Sequence, residues 1–311
     1  MSWIAHYELL KYVRIKGIFE CIEPLRIGAG RTDVLTSAVD LAVLRVGMRD
    51  ESGNRIDIPY IPGSSLKGVF RTYAKHLGAI RNVVMCNGLP NSTCMDAEVE
   101  YGVKLQRKIQ QLMKSSQYND IRKLFDEWVC IGCKIFGAPI YLGNVFFSDC
   151  FPYDYDHKKW LNYSFNVKPG IAIDRRTGAT ARGALFEVEF VEPGSEFYFT
   201  IDAKNIPNYA LGLLAEILLE IDSGRIRLGG FKTRGFGKVK IRDLRVIFNV
   251  GLSKSDEGKR ILVKTDEIDE DVESPGRPED KEEDARKFLD NLIGVWYNVS
   301  SRIPKPRWYK S

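Results

Sequence analysis

Histidine is nearly absent from this 311-residue chain; only His6, His76 and His157 occur. None sits where it would complete an obvious triad, so Ser-His-Asp and Cys-His chemistry lack sequence support. No apolar run approaches the roughly 18 residues needed to cross a membrane. The N-terminal Met-Ser-Trp-Ile-Ala-His-Tyr has no basic segment followed by an apolar one, which predicts a cytoplasmic protein. In a reducing compartment the six cysteines are thiols or metal ligands rather than disulfides. The most glycine-rich stretch does not end in a Walker Lys-Ser/Thr and does not match GxGxxG, so the usual nucleotide loops are missing too.

What is present suits a soluble globular protein: 44% hydrophobic and 28% charged residues, enough for one large domain or two ordinary ones. The net charge of +5 is unevenly placed. Residues 251–290 carry 8 Lys and Arg against 14 Asp and Glu, and residues 291–311 add four positive charges, leaving +7 on residues 1–250. A basic body favours a polyanionic partner, although a solvated surface has the same composition.

The stretch Leu228-Gly-Gly-Phe-Lys-Thr-Arg-Gly-Phe-Gly-Lys-Val-Lys-Ile241 organises the chain. Gly229, Gly230, Gly235 and Gly237 permit positive φ and close backbone approach, and free N–H groups in such a loop can form an anion nest. Lys232, Arg234 and Lys238 add charge, and Phe231 and Phe236 offer stacking faces. A second glycine turn, Leu25-Arg-Ile-Gly-Ala-Gly-Arg31, brings Arg26 and Arg31. A third signal is Ile61-Pro-Gly-Ser-Ser-Leu-Lys-Gly68, in which Ser64 or Ser65 caps a helix running to about Leu77. Lys67, Arg71 and Lys75 then recur every four residues, as a phosphate ledge or as a solvated stripe.

Alternation predicts strands over residues 11–22, 38–46, 184–191, 196–202 and 238–248, with a hairpin at Glu192-Pro-Gly-Ser195, a buried strand over 143–150, and a helix over 209–221. The order strand, helix, strand, strand, helix, strand is that of an α+β, modified ferredoxin-like (RRM-like) fold with large insertions. On this reading residues 1–250 form one domain. A helical insertion occupies 79–135 and a projecting thumb hairpin 152–183. Residues 251–283 are an acidic, mobile linker and 284–311 a C-terminal helix and tail.

Cys130-Ile-Gly-Cys133 with the upstream pair Cys86 and Cys94 suits tetrahedral Zn²⁺ as a structural staple of the insertion, with His76 able to replace one thiol. Unliganded thiols and a redox pair are the rivals. Asp40, after the first glycine turn, can bind Mg²⁺ or Mn²⁺ beside phosphate or help activate a 2′-hydroxyl, or it can simply face solvent.

Together the motifs Leu25–Gly30, Ile61–Gly68 with Arg71, and Gly229–Lys238 resemble the RAMP superfamily of CRISPR-associated proteins across roughly residues 11–248, in particular the repeating backbone subunit of type III effector complexes. The resemblance implies a protein that stacks on CRISPR RNA with neighbouring copies and other effector subunits, and that meets target RNA. Guide phosphates would lie on Lys67, Arg71, Lys232 and Arg234, with Arg26, Arg31, Arg175, Arg176, Arg182 and Lys238 as further RNA-binding residues. The thumb would part guide from target, with Ile171, Ile173 and Arg175 as its wedge residues. Asp40 occupies the matching position of the family's target-cleavage aspartate. Arg26 stands where the family usually has histidine, and the acidic tail has no counterpart. A non-catalytic structural or cap subunit, or a precursor-processing endonuclease, are the alternatives, the last disfavoured by the missing histidine.

Overall fold

The computed structural model of the chain describes residues 3, 8–28, 40–50, 52–173, 175–254 and 259–309, with the backbone alone at 172, 173, 180–185, 249 and 254. The alternating N-terminal segment forms β1 (Tyr12–Cys21), followed by a hairpin of β2 (Arg45–Arg49) and β3 (Arg55–Pro59) and by α1 (Gly63–Ile80). The insertion then supplies β4 (Glu98–Glu100), β5 (Val103–Lys104), α2 (Leu105–Lys114), α3 (Tyr118–Trp128) and α4 (Ile131–Phe136). Next come β6 (Val145–Phe147), β7 (Tyr153–Asp154), β8 (Lys159–Trp160), β9 (Phe165–Ile173), β10 (Thr180–Val191), β11 (Glu196–Lys204) and α5 (Asn208–Asp222). The chain continues as β12 (Val239–Val250), β13 (Leu252–Lys254), β14 (Arg260–Leu262), β15 (Val272–Glu273) and α6 (Glu282–Val299).

The central sheet has the order β12-β1-β11-β6, every neighbouring pair antiparallel. Period-two alternation buries Val13, Ile15, Phe19, Phe197, Phe199, Ile201, Val246 and Phe248 on one face. The other face carries Arg14, Lys16, Thr200 and Asp202, with Arg14 paired to Asp202 and Lys16 to Asp156. Helix α1 packs on β6 and α5, and α5 packs on β12. The result is a mixed α/β protein built on antiparallel sheets.

Several sequence expectations are corrected. Neither Ser64 nor Ser65 caps α1; the carboxylate of Asp149, just beyond β6, accepts the Gly63 N–H at 2.7 Å instead. The buried strand over 143–150 is only three residues long. Strands β10 and β11 are joined by the Glu192–Ser195 turn but do not pair; β10 pairs with β9, and β11 with β1 and β6. The long hairpin after residue 164 is therefore β9–β10.

Residues 251–283 are not a mobile linker, residues 255–258 lying outside those described. They build an antiparallel sheet, β13-β14-β15, that buries Leu262, Val272 and Asp269. Asp269 accepts the N–H groups of Asn208 at 3.0 Å and Tyr209 at 3.2 Å, capping α5, whose own N-cap position is Pro207. Helix α6 then crosses α5 so closely that a Cβ on Gly212 would lie 2.0 Å from the Leu292 carbonyl oxygen. Twelve of the 15 residues of α5 are buried, because the sheet covers one side and α6 another. The chain end ties back to the insertion: Trp308 Nε1 donates to the Trp128 carbonyl at 2.9 Å.

Candidate nucleic-acid groove and cysteine centre

Three segments far apart in sequence meet in a groove of about 490 Å³. Arg26, Ile27 and Gly28 form one wall, Ser65, Leu66, Val69, Thr72 and Tyr73 of α1 a second, and Leu228, Gly229, Gly230 and Lys232 a third. The glycines explain how the two turns come together. Gly229 and Gly237 have φ of +73° and +91°, and a Cβ would lie 2.4 Å from the Arg26 carbonyl oxygen and 2.1 Å from that of Leu228. Gly230 N–H donates to Arg26 O at 2.8 Å, and Gly237 N–H to Pro24 O at 2.9 Å. Two N–H groups expected to face an anion are thus already used in docking the loop. Gly235 closes the short 232–234 turn at φ +79°.

Arg26 Nε is buried with no hydrogen-bond partner. Burial holds the Arg26 and Lys232 cations below their ordinary pKa values. Two desolvated cations in a hollow are a site that an anion would stabilise. Phe231 is not a free stacking face: the guanidinium groups of Arg26 and Arg234 lie 5.3 Å and 5.2 Å from its ring centroid. Phe236 is buried against Phe190 and Phe231.

The α1 stripe points elsewhere. None of Lys67, Arg71 and Lys75 lines the groove, and Arg71 and Lys75 reach toward the insertion. Lys75 bonds Asn87, while Arg71 donates to the Gly137 carbonyl at 3.1 Å and to Cys133 Sγ at 3.6 Å. Lys67 is half-buried, its pKa lowered by burial and then by Arg71. Lys238 lies outside the groove too; its methylene chain packs over Gly224. Arg31 lies outside the described residues.

Asp40 is exposed beside β10, where its carboxylate accepts the Glu187 N–H at 2.9 Å. The segment that follows runs along the same strand: Leu41 N–H donates to Glu187 O, and Glu189 N–H to Leu41 O, both at 3.1 Å. Buried Glu189, which the sequence did not single out, accepts the Val43 N–H at 2.9 Å and pairs with Arg45. Further along the hairpin Ile171, Arg175 and Arg176 are exposed. Ile173 and Arg182 lie in β9 and β10, with side chains outside those described.

Cys86, Cys94, Cys130 and Cys133 converge so that their sulfurs all lie within 4.8 Å of one another. Cys86 to Cys130 is 3.8 Å, matching the roughly 3.8 Å that separates thiolates around a tetrahedral ion with bonds of about 2.3 Å, and Cys86 to Cys133 is shorter at 3.2 Å. Backbone N–H groups point at the sulfurs, Cys86 N to Cys130 Sγ at 3.5 Å and Cys130 N to Cys94 Sγ at 3.3 Å. The donors, burial and spacing fit a metal. His76 is not in the group; it packs edge-on against Tyr73.

The fold and site define a mixed α/β protein whose groove is walled by two glycine turns and one helix. The sequence model of the RAMP superfamily matches residues 18–240, and the chain belongs to that superfamily. It is 29% identical over 197 residues to the CRISPR system Cms endoribonuclease Csm3 of Methanocaldococcus jannaschii, covering 55% of this chain and 75% of that one. It is also similar to a chain in the cryo-EM structure of the type III-B Cmr-beta bound to cognate target RNA. There the identity is 18% and the TM-score 0.42, over 76% of this chain and 61% of that one. Among the described residues no helix is long and apolar enough to cross a membrane.

Proposed function

We propose that this protein is a guide-RNA-binding backbone subunit of a type III CRISPR effector complex, with a ferredoxin-like core, that cleaves guide-paired target RNA through Asp40. The observation that carries the reading is the groove. Motifs at 26–28, 61–73 and 228–232 assemble around Arg26 and Lys232, two cations that burial leaves in need of an anion. A guide phosphate is the anion this reading assigns. The β9–β10 hairpin, with Ile171 exposed, is the element that would part guide from target, and Asp40 is bonded to its base. Asp40 would hold a proton or a hydrated Mg²⁺ or Mn²⁺ next to the attacking 2′-hydroxyl. Zn²⁺ would sit on the four cysteines as a structural ion, so metal analysis is expected to find about one zinc per chain.

The test is target cleavage by the reconstituted, guide-loaded complex, wild type against Asp40→Ala, with guide and target occupancy checked in both. Loss of the cuts opposite this subunit at unchanged occupancy supports the reading. A second reading, a structural RNA-binding subunit without cleavage, is favoured by one observation. The Asp40 carboxylate is already engaged in the fold, as acceptor of the Glu187 N–H at 2.9 Å. Cuts that persist in Asp40→Ala, or never occur in wild type, decide for it.

A further inference from the structure

Arg71 stands at the junction of the groove and the cysteine centre. The face of α1 that lines the groove carries Ser65, Val69 and Thr72, whereas Arg71 leaves the helix toward the insertion. Its guanidinium reaches Cys133 Sγ at 3.6 Å and the Gly137 carbonyl at 3.1 Å. It also packs flat beside Gly88, where φ is +69° and a Cβ would lie 2.2 Å from Arg71 Nε. Gly88 belongs to the Cys86–Cys94 loop, and Gly137 closes the helix that bears Cys133. One side chain of the groove helix therefore touches both halves of the four-cysteine site.

The electrostatics give that contact a purpose. Four thiolates around a divalent ion leave a net charge of about −2, here largely buried. An N–H donor with a full positive charge lowers the energy of such a centre, and a planar guanidinium can serve a sulfur and a carbonyl together where an ammonium serves one point.

We infer that Arg71 is a positioning residue of the metal centre: its guanidinium offsets the thiolate charge and locks the groove-lining helix α1 to the metal-bearing insertion. The inference rests on the metal reading above. It also reassigns Arg71 from guide phosphates, where the sequence motif placed it, to the protein's own thiolates.

The test uses the full-length protein loaded with Zn²⁺ or Co²⁺, as wild type, Arg71→Gln and Arg71→Lys. Three readouts are taken: metal affinity by chelator competition, the sulfur-to-cobalt charge-transfer band, and the salt dependence of single-stranded RNA binding. Arg71→Gln is expected to lower metal affinity by roughly 10- to 100-fold and to move the band, with the RNA salt slope unchanged. Arg71→Lys should fall between, and it carries the test if Arg71→Gln does not fold. Metal affinity within about twofold of wild type for both variants overturns the inference, and a salt slope lowered by about 0.7 identifies a phosphate ligand instead. A wild-type protein that takes up neither metal refutes the metal reading itself, a result distinct from equal affinities.

Discussion

The carboxylate of Asp40 accepts a 2.9 Å hydrogen bond from the backbone N–H of Glu187, so the candidate cleavage residue is fastened to the strand that leads out to the β9–β10 hairpin. Two residues along, Glu189 fastens the continuation of the same segment through Val43 and Arg45. Glu189→Ala would leave the Val43 N–H without its acceptor and Arg45 without its partner. The buried hydrogen bond carries most of the effect, since Arg45 is about a third exposed and its ion pair is screened. Unfolding should be easier by about 2 kcal/mol, and target cleavage should fall while guide affinity holds. Chemical denaturation and a cleavage assay on the reconstituted complex check it; unchanged cleavage would show that Asp40 is held by other means.

The groove makes a quantitative distinction between cations that look alike in sequence. Lys232 lines the groove, and Lys238 lies over Gly224 outside it. Removing one phosphate contact lowers the slope of log K against log salt by about 0.7 for a single strand. Lys232→Ala is expected to show that change in an RNA titration across salt concentrations, and Lys238→Ala to keep the wild-type slope. Equal slopes for both variants would place the RNA elsewhere.

The central sheet was legible because its strands have one wet face: Tyr12, Arg14 and Lys16 alternate with Val13 and Ile15. The CxxC and its upstream pair were legible as spacing. Arg71 was not, because helical periodicity assigns a residue to a face without saying what the face meets, and the insertion covers that face. The C-terminal sheet was missed for a different reason. Strands of two or three residues, such as β14 and β15, carry no periodic signal, and the acidic density of 251–290 hides Leu262 and Val272. Asp269 reads as one more exposed acid until its partners on α5, Asn208 and Tyr209, are seen.

Lys11 is the residue whose burial most contradicts its chemistry. Its ammonium donates to Asn208 Oδ1 at 2.7 Å and lies 3.9 Å from Asp269, with 1% of its surface exposed. Burial lowers its pKa to about 8, with Asp269 pulling the other way, and burial also raises that of Asp269. Both partners resist charge, so desolvation outweighs their attraction. Below pH 8 folded and unfolded chains both carry the Lys11 proton, and the folded chain bears the whole penalty. Between about pH 8 and 10.5 the folded chain has released that proton and the unfolded chain has not, so this contribution makes the protein more stable as pH rises. Measured against Lys11→Met, wild type should gain up to about 3 kcal/mol across that window. A flat difference would show that Lys11 keeps its charge in the fold.

The segment after β12 behaves as part of the core. Phe288 stacks on Phe248 with centroids 4.8 Å apart, and Trp296 and Tyr297 both donate to buried Glu216 on α5 at 2.8 Å. A chain ending at Val250 would uncover Phe248 and the outer side of α5, leave Glu216 without those donors, and strip the Asp269 cap from the helix. Losing one buried ring of this size costs about 3 kcal/mol, more than an ordinary domain can lose several times over. The truncated chain is expected to aggregate or to bind a hydrophobic dye and melt without a cooperative transition. Full-length Asp269→Ala, which removes the cap and keeps the apolar cover, should stay folded with a lower melting temperature. A truncated chain that is monodisperse and melts at the wild-type temperature would return residues 251–311 to the status of a dispensable tail.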